Sequence, residues 1–436
     1  MKKLLALVLA LVMSMSLVTI SNAAFKDADK IDYDEAVEVM NAVGVLVGDE
    51  KGNFNAKENL TRAQAAKIIS YLLLGNKTAE ALAGSGKFTD VAKTSWFAGF
   101  VDYCASTGVV NGVGDGKFDP NGQLTGYQFA KMLLVALGYD AKIEGFTGAD
   151  WQINVSKRAD QADLFDNLDI SGNAALTREQ AAQMCLNTLK SPLVEYSNKG
   201  GNLTINGATI NIGASNAEYK TSSTKIADQT IYANKLNSSA GEYIVEFAEQ
   251  YYSDLVLKSG EADDFGRPAH TWLLNNQKVG TYAEDVDYEY TTAVTGKALY
   301  EALGKNTVET YDFSVFVDGA EKDAIAKEIA KNNKADLAST GNGVLTQVFV
   351  DNDKETVIIS MVNTYLAKAS ADYNSKKDSV SLKIYFTDDG TTKTVDGEDL
   401  AISDIKDGDF LLVTYSYMTG VNKVESIAKP EAIEDS

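Results

Sequence analysis

Two arginines stand where a protein chain can bind an anion. Arg62 and Arg178 each follow a threonine that begins a predicted helix, Thr61 and Thr177. The first turn of a helix presents unpaired N–H groups and the positive end of the helix dipole, which stabilise a carboxylate. A guanidinium at this place can hold the same carboxylate through two parallel hydrogen bonds. The pattern therefore predicts recognition of an acidic group. The alternative is that both arginines face solvent and pair with nearby acids.

The helices that carry these threonines belong to a sequence repeat, found when the chain is compared with itself. Residues Gly44, Gly48, Gly52, Phe54, Thr61, Gln64, Ala66 and Lys67 recur 64 positions later as Gly108, Gly112, Gly116, Phe118, Thr125, Gln128, Ala130 and Lys131. A third, partial copy repeats Leu60-Thr61-Arg62 as Leu176-Thr177-Arg178. Each copy has the pattern of a helix, a glycine-rich loop and a second helix.

The second helix of each copy begins in the same way. Thr61, Thr125 and Thr177 each precede a glutamine by three residues, which is the spacing of a capping box. Apolar residues at helical spacing follow each cap and predict one packed unit. Cys104 lies on a similar apolar stripe in the first helix of the second copy, and Cys185 lies on the stripe behind the third cap. We therefore interpret both as buried core residues, with a disulfide as the alternative.

At these motifs the chain resembles the S-layer homology domain. The matching segments are Phe25-Lys26-Asp27, Phe88-Thr89-Asp90, Trp96-Phe97, Asp115-Gly116-Lys117-Phe118-Asp119-Pro120, Thr61-Arg62-Ala63-Gln64 and Thr177-Arg178-Glu179-Gln180. The resemblance implies a three-lobed helical prism whose grooves bind anionic secondary cell-wall polysaccharide, often through a pyruvate ketal on a sugar. The binding residues that it implies are Arg62, Arg178, Trp96, Trp151, Thr61, Thr177 and Asp115.

The chain also departs from this family pattern. Gly126 stands in the second copy where the other two have arginine, and the third copy lacks the Asp-Gly-x-Phe loop. An aromatic face such as Trp96 or Trp151 can cover the apolar side of a pyranose, whereas the first copy offers Tyr33 at this place. We therefore expect fewer than three binding grooves.

The N-terminus predicts export. Lys2 and Lys3 precede an apolar run from Leu4 to Met13, and Ser21-Asn22-Ala23 supplies small residues for a signal peptidase. We expect cleavage after Ala23 and a location at the cell wall and surface of a bacterium. The net charge of −21 disfavours nucleic acid and anionic lipid as partners. An anionic ligand must therefore meet local cations.

After residue 192 the composition shifts toward Thr, Tyr, Val, Asn and Asp, and helical periodicity mostly gives way to the pattern of short strands. This predicts a β-rich α+β region. Hairpins are expected around Asn206-Gly207 and around 351–354, final strands at 410–415 and 421–427, and helices near 296–303 and 320–331. The fold class is thus α+β multidomain, with an all-α three-repeat prism before β-rich modules. We predict a signal peptide at 1–23, repeats at 24–86, 87–140 and 141–192, and modules at 193–335 and 336–436.

Signals for catalysis are weak in this second half. His270 is the only histidine, and no nucleophile motif accompanies it, so we interpret it as a structural residue in the turn 267–272. The acidic segment 351–355 lacks the glycine and glutamate of a calcium loop, which favours a solvated hairpin turn. Acid pairs such as Asp263 with Asp264 or Asp285 with Asp287 could serve a glycosidase, although an acidic surface produces such pairs freely.

The function predicted from these observations is that of a non-enzymatic, wall-anchored surface or S-layer protein. Its C-terminal region would be exposed for self-association, which calcium could assist by bridging the acidic surfaces. No cofactor is expected. The alternatives are a wall-anchored carbohydrate-active enzyme and an adhesin or solute-binding protein. Self-association, turnover and a saturable external ligand, respectively, would distinguish the three.

Overall fold

The computed structural model describes residues 25–205, 208–224, 242–322, 327, 337–386, 391–396, 400, 402–417 and 423–430. The chain divides into two compact units. The first unit comprises Phe25–Leu257 with Leu273–Gln277, and the second comprises Lys258–Trp272 with Lys278–Ser436. Helices and strands are both abundant, so the protein is of mixed helix and sheet composition.

Helices dominate the first unit. After a short 3₁₀ turn at Ala28–Lys30, the helices are α1 (Asp34–Ala42), α2 (Arg62–Leu74), α3 (Asn76–Ala79), α4 (Ala98–Ser106), α5 (Gly126–Ala136), α6 (Trp151–Gln161), α7 (Arg178–Lys190) and α8 (Phe247–Tyr251). The capping boxes predicted at Thr61, Thr125 and Thr177 are all present, with both hydrogen bonds made in each. The cap sequences therefore set where α2, α5 and α7 begin.

The three copies pack in a closed cycle. The second helix of each copy packs against the first helix of the next, so that α2 lies on α4, α5 on α6, and α7 on α1. Backbone hydrogen bonds form a ring at the centre: Leu60 N donates to Leu176 O (2.8 Å), Leu176 N to Leu124 O (2.9 Å) and Leu124 N to Leu60 O (3.0 Å). Each of these buried leucines precedes a capping threonine, so the three helix starts lie together.

Both cysteines lie in the hydrophobic core between the packed helices. Cys104 and Cys185 are fully buried and free, which confirms their interpretation as core residues. Burial raises the pKa of the Cys104 thiol to about 12, because a thiolate would lose its hydration there. It raises the pKa of the Cys185 thiol as well. Both side chains therefore remain neutral packing groups.

The first unit continues beyond the third copy. Short strands β1 (Val194–Glu195), β4 (Glu218–Tyr219), β5 (Thr221–Ser222) and β6 (Tyr243–Ile244) pair as β1 with β4 and β5 with β6. Val194 N donates to Leu137 O at the end of α5, and the Tyr252 hydroxyl donates to Tyr71 O at 3.2 Å. A hairpin of β2 (Gly201–Ile205) and β3 (Ala208–Ile212) confirms the one predicted there, although Asn206 and Gly207 lie outside the described residues.

Strands β7 (Leu255–Ala262), β8 (Pro268–Leu274) and β9 (Gln277–Ala283) form a sheet of three. The second unit has one helix, α9 (Gly296–Thr310), among its described residues, and it is interrupted at Gly304. The remaining strands are β10 (Tyr288–Tyr290), β11 (Asp312–Val317), β12 (Ala320–Lys322), β13 (Val344–Asp351), β14 (Thr356–Ala369), β15 (Ser379–Ile384), β16 (Thr391–Asp396), β17 (Phe410–Ser416) and β18 (Lys423–Ala428). These nine strands form a single sheet.

Strand β14 organises this sheet because its two halves have different partners. Residues up to Asn363 pair with β13 and β11, and residues from Thr364 pair with β15 and β17. One hydrophobic cluster packs around the first half, including Ile359 and Met361, and another around the second half, including Ala367 and Ala369. The sheet spans the module boundary predicted near residue 335, and that boundary stays a prediction.

Most local predictions for this region are confirmed, and two are wrong. The hairpin at 351–354, the final strands and the helix from Gly296 are present. Residues Ala320–Lys322, expected to be helical, form β12, because Asp318 and Gly319 adopt positive φ and turn the chain back onto β11. The rest of that predicted helix lies outside the described residues, except Lys327. His270 lies in strand β8 rather than in a turn.

Candidate anion-binding groove

Arg62 reaches from the first copy into the loop of the second copy. Its Nε donates to Phe118 O at 2.9 Å, its Nη2 donates to Asn111 O at 2.9 Å, and its guanidinium lies 4.6 Å from the Phe118 ring centroid. Burial lowers the pKa of Arg62, although Asp119 and Asp90 favour its charge. The arginine therefore fixes the loop while keeping one terminal nitrogen, Nη1, that bonds to no described residue.

Arg178 makes the equivalent contacts between the third copy and the first. Its Nε donates to Phe54 O at 3.0 Å, its Nη2 donates to Val47 O at 3.1 Å, and it lies 4.9 Å from the Phe54 ring centroid. Neither arginine forms an ion pair with a carboxylate of the described residues. The two sites are thus built alike, as the repeat requires.

The loops that receive the arginines are held by the aspartates of the opening motif. Asp90 accepts from Phe118 N and Asp119 N at 2.8 Å each, and Asp27 accepts from Phe54 N (2.7 Å) and from the next residue's N–H. Hydrogen bonds from the backbone to Asp90 keep the pKa of its carboxyl below the ordinary value, against the opposing effect of burial. The Phe-x-Asp motif therefore has a structural role, positioning the carbonyls that Arg62 and Arg178 contact.

A cavity of about 320 Å³ opens beside Arg62. Its wall is formed by the loop of the second copy, by α5 and by the chain that leads into α6. The residues used below are Arg62, Asn111, Gln128, Lys131, Phe146 and Trp151. Apolar and aromatic walls with few polar groups are typical of small-ligand sites. We call this cavity the Lys131 groove.

Lys131 gives this groove a second positive charge. Its Nζ lies 5.9 Å from the Trp151 ring centroid, and no carboxylate or hydrogen-bond acceptor of the described residues pairs with it. Burial lowers the pKa of Lys131, and the nearby charge of Arg62 adds to this effect. Two cations that repel each other in a partly desolvated cavity create a positive field that favours an anion.

The equivalent position in the first copy differs in charge. Lys67 Nζ is 3.1 Å from Glu80 Oε1 and 4.9 Å from the Tyr71 ring centroid, and Tyr71 also donates a hydrogen bond to Glu80. Trp96, which corresponds to Trp151, lies 5.9 Å from Lys67 and is 58% exposed. The charge of Lys67 is therefore already neutralised, and its tryptophan is open to solvent.

The third interface lacks both cations. Gly126 replaces the arginine, and a Cβ at this position would lie 3.2 Å from the Phe165 ring and 3.3 Å from Gly172. Gln183 occupies the lysine position and donates to Asn187 Oδ1 at 2.9 Å. The neighbouring chain closes over Gly126, since Tyr127 N donates to Gly172 O at 2.7 Å. This interface is therefore packed by neutral groups.

At the other end of this interface, acidic side chains cluster around Lys57. Lys57 Nζ bridges Asp32 and the buried Glu179, at 2.5 Å from each, and Glu179 also accepts from Asp32 N at 2.8 Å. Asp34, the first residue of α1, has its pKa raised to about 7 by burial and by the charges of Asp32 and Glu179, with Lys57 opposing. The proton on Asp34 is therefore held more tightly in the folded chain than in the unfolded one.

We expect Asp34→Asn to stabilise the first unit more at pH 8 than at pH 4. The carboxyl titrates near 3.8 in the unfolded chain and near 7 in the folded one, so ionisation opposes folding increasingly between these values and fully above them. Thermal unfolding of both proteins at each pH measures the difference. Asp115→Asn, at an exposed loop tip, is the control. An equal change at both pH values would show that Asp34 ionises freely in the fold.

The structure brings together only some of the residues predicted from the sequence. Arg62 and Trp151 line one cavity, whereas Arg178 and Trp96 lie at the equivalent site of the first copy. The hydroxyls of Thr61 and Thr177 are used by the caps, where they accept from Gln64 N and Gln180 N. Asp115 lies exposed, outside the cavity lining. Lys131 and Gln128 line the cavity but were not predicted as site residues, although both belong to the 64-residue repeat.

The catalytic and calcium-binding candidates considered from the sequence, His270 and the segment 351–355, make simple structural contacts. His270 Nδ1 contacts Glu284 Oε1 at 3.1 Å, and Asp351 accepts from Asp353 N and Lys354 N as a turn does. In the described part of the chain, no three or more His, Cys, Asp or Glu side chains are grouped to hold a metal ion. A search of the same residues found no helix with the length and apolar character needed to cross a membrane.

Comparison with known protein families finds matches to the first two copies. The sequence-family model of the S-layer homology domain matches residues 24–66 and 87–130, which lie in the first two copies. The third copy lies outside these matches, as its divergent loop would suggest. The chain therefore carries S-layer homology domains.

Several curated proteins are similar over longer stretches. A cell surface protein of Thermoanaerobacter kivui is 24% identical over 98% of this chain and 53% of its own length. A middle cell wall protein of Brevibacillus brevis is 30% identical over 44% of this chain and 18% of its own length. An endo-1,4-beta-xylanase A of Thermoanaerobacterium saccharolyticum is 29% identical over 32% of this chain and 14% of its own length.

This chain spans about half the length of the first of these relatives and much less of the others. The domain matches and the cell-surface relatives locate the protein at a bacterial cell surface, outside the cell.

Proposed function

We propose that this cell-surface protein, which carries S-layer homology domains, is held at the wall by anionic secondary cell-wall polysaccharide bound in the Lys131 groove. The observation that carries the proposal is the pair of cations, Arg62 and Lys131, in one cavity with Trp151. The whole chain has a net charge of −21, so an anionic polymer is repelled by the protein overall. A local pair of cations, neither of which forms an ion pair with a described carboxylate, overcomes that repulsion at one place.

The side chains suit an acidic sugar in distinct ways. Arg62 already uses Nε and Nη2 for the loop carbonyls, so Nη1 is the nitrogen left for a carboxylate, with Lys131 Nζ as the second donor. This differs from the two-nitrogen clamp expected from the sequence. Trp151 supplies an aromatic face for the apolar side of a pyranose, and Gln128 supplies a neutral polar group. A pyruvate ketal combines such a carboxylate with a sugar.

The three interfaces should differ in their affinity for an anionic polysaccharide. The closed cycle of helices supports a three-lobed prism, whose three grooves lie between successive copies. We rank the Lys131 groove first because its lysine forms no ion pair with a described carboxylate. The groove of Arg178 and Lys67 follows, since Glu80 neutralises the lysine there. The interface at Gly126 and Gln183 binds no anion, because neutral residues occupy the arginine and lysine positions and its Lys57 is paired with Asp32 and Glu179.

The second unit, in this proposal, is the part that assembles with neighbouring copies and catalyses no reaction. Its exposed tyrosine Tyr288 and its exposed Phe410 and Leu366 support the assembly role, because aromatic residues are enriched where proteins associate. Divalent cations such as calcium would assist by reducing repulsion between acidic copies. The rival function is a wall-anchored carbohydrate-active enzyme, for which the partial similarity to a xylanase is the specific support.

The first test compares the two equivalent lysines. We expect Lys131→Gln to lower the affinity of the full chain for purified walls about tenfold or more, because a charge-assisted contact contributes about 1.5–3 kcal/mol. Lys67→Gln should have a clearly smaller effect, since that lysine is already paired with Glu80. Sedimentation of wall-bound protein over a concentration series gives both affinities.

These variants are matched controls for each other, because both remove one positive charge at the same place of a repeat. Circular dichroism establishes that each remains folded. Equal affinities for Lys131→Gln and the unaltered chain would exclude the Lys131 groove as the anion site. A larger loss with Lys67→Gln would move the site to the first copy.

A further inference from the structure

The second half of β14 has one face turned away from the core. Ala367 and Ala369 belong to the buried cluster, so Leu366 and Lys368, which alternate with them, lie on the opposite face. Lys368 stands between Lys383 of β15 and Phe410 of β17 in the strand register. This face of the sheet therefore carries a row of two lysines and a phenylalanine.

This row has exposed apolar groups and uncompensated charge. Phe410 is 53% exposed and Leu366 is 44% exposed, and Lys368 Nζ lies 5.4 Å from the Phe410 ring centroid. No carboxylate of the described residues pairs with Lys368 or Lys383. Like charges directly opposite on neighbouring strands destabilise a sheet. We call Leu366, Lys368, Lys383 and Phe410 the lysine face.

An acidic segment lies elsewhere in the same sheet. Glu284, Asp285, Asp287 and Glu289 are exposed and lead into the edge strand β10, where Tyr288 is 37% exposed. Among the described residues, strand β10 pairs with β13 alone and leaves its outer edge open. We call residues 284–289 the acidic edge. It has the opposite charge to the lysine face and, like it, offers an aromatic side chain.

The two surfaces cannot neutralise each other within one copy. Glu289 pairs with Gln347, which pairs with Ser360, and Lys368 is eight residues further along β14. At about 3.3 Å per residue this separates them by roughly 26 Å along the sheet. Exposed charges are screened over about 8–10 Å in ordinary salt. The acidic edge therefore does not neutralise the lysine face of its own copy.

The geometry points to a head-to-tail contact in which the lysine face of one copy binds the acidic edge of the next. This inference rests on the assembly role proposed above and names the surfaces that perform it. A second copy fits because it supplies the complementary charges and an aromatic residue, Tyr288, for the exposed Phe410 and Leu366. Because the two surfaces differ, the contact is heterologous, and repetition extends it into a row or closes it into a ring.

The test uses charge reversal in the full chain, followed by sedimentation velocity over a concentration series. We expect Lys368→Glu with Lys383→Glu to weaken self-association at least about tenfold, and Asp285→Lys with Glu289→Lys to do the same. The chain carrying all four changes should associate again, because the signs are exchanged rather than lost. Lys376→Glu with Lys377→Glu, two exposed lysines of a nearby turn, is the matched control and should associate normally.

The outcomes separate this inference from the assembly role itself. Restored association in the fourfold variant supports the contact, since loss of folding does not explain a rescue. Normal association of Lys376→Glu with Lys377→Glu, which has the same net charge as the lysine reversal, excludes net charge as the cause of the loss. Association that survives either double reversal, or a fourfold variant that stays monomeric, overturns the contact while leaving assembly by other surfaces in place. An unaltered chain that never associates, with or without calcium, overturns the assembly role. Binding of wall glycan that is lost only with the lysine reversal would overturn a second copy as the partner.

Discussion

The chain carrying both Arg62→Gln and Lys131→Gln is expected to bind walls at least about a hundredfold more weakly than the unaltered chain. These side chains are the two cations of the Lys131 groove, and each charge-assisted contact contributes about 1.5–3 kcal/mol. The remaining groove, at Arg178 and Lys67, retains only weak binding because Glu80 neutralises its lysine. Binding isotherms on purified walls measure the loss.

Folding must be controlled in this experiment, because Arg62 also holds the loop through Phe118 O and Asn111 O. Arg178→Gln with Lys67→Gln removes the same charges and the same kind of loop contacts in the first copy, and is the matched control. We expect it to keep most of the affinity. Equal losses in the two double variants would mean that loop support, rather than the charge of one groove, governs binding.

Replacing Asp263 by alanine is expected to lower the stability of the second unit by about 3–5 kcal/mol, because it removes the buried carboxylate that Arg267 contacts. The Asp263 and Arg267 side chains are 0% and 1% exposed, and Arg267 Nε donates to Asp263 Oδ2 at 2.5 Å. Asp263 Oδ1 also accepts from Phe265 N and Arg267 N. Hydrogen exchange of β13 and β14 against urea concentration gives the free energy of unfolding for this unit.

The adjacent Asp264 provides the control for this change. Its side chain is 40% exposed and lies 4.0 Å from Lys423, so Asp264→Ala should alter stability by no more than about 0.5 kcal/mol. Combining Asp263→Ala with Arg267→Met should recover part of the loss, because no charge then remains buried. A double variant no more stable than Asp263→Ala would show that the turn hydrogen bonds matter more than the ion pair.

Features that depend on near neighbours were predictable from the sequence. The caps at Thr61, Thr125 and Thr177 need only a threonine and a glutamine three residues apart, and all three formed. The hairpin before β14 likewise follows from a polar turn between two apolar runs. The helix predicted from 320 failed because the Asp318-Gly319 turn and pairing with β11 outweigh helical periodicity.

The set of residues that lines the groove could not be predicted from the sequence, because it depends on how the three copies pack against one another. Arg62 belongs to the first copy, contacts the loop of the second and lines a cavity with Trp151 of the third. Repetition marked Lys67 and Lys131 as equivalent. Their difference arises from Glu80, whose contact with Lys67 depends on the fold after α2. Spacing therefore identified the residue types, and tertiary packing decided which of them carry uncompensated charge.

The most direct test of wall anchoring is to measure binding of the full chain to purified walls before and after their secondary polysaccharide is stripped. The groove account predicts saturable binding to intact walls that falls as salt rises, because the contact pairs cations with an anionic polymer. It predicts loss of that binding on stripped walls and its inhibition by the released polysaccharide. Unchanged binding to stripped walls would contradict the account, since no anionic polymer would then remain for Arg62 and Lys131 to hold.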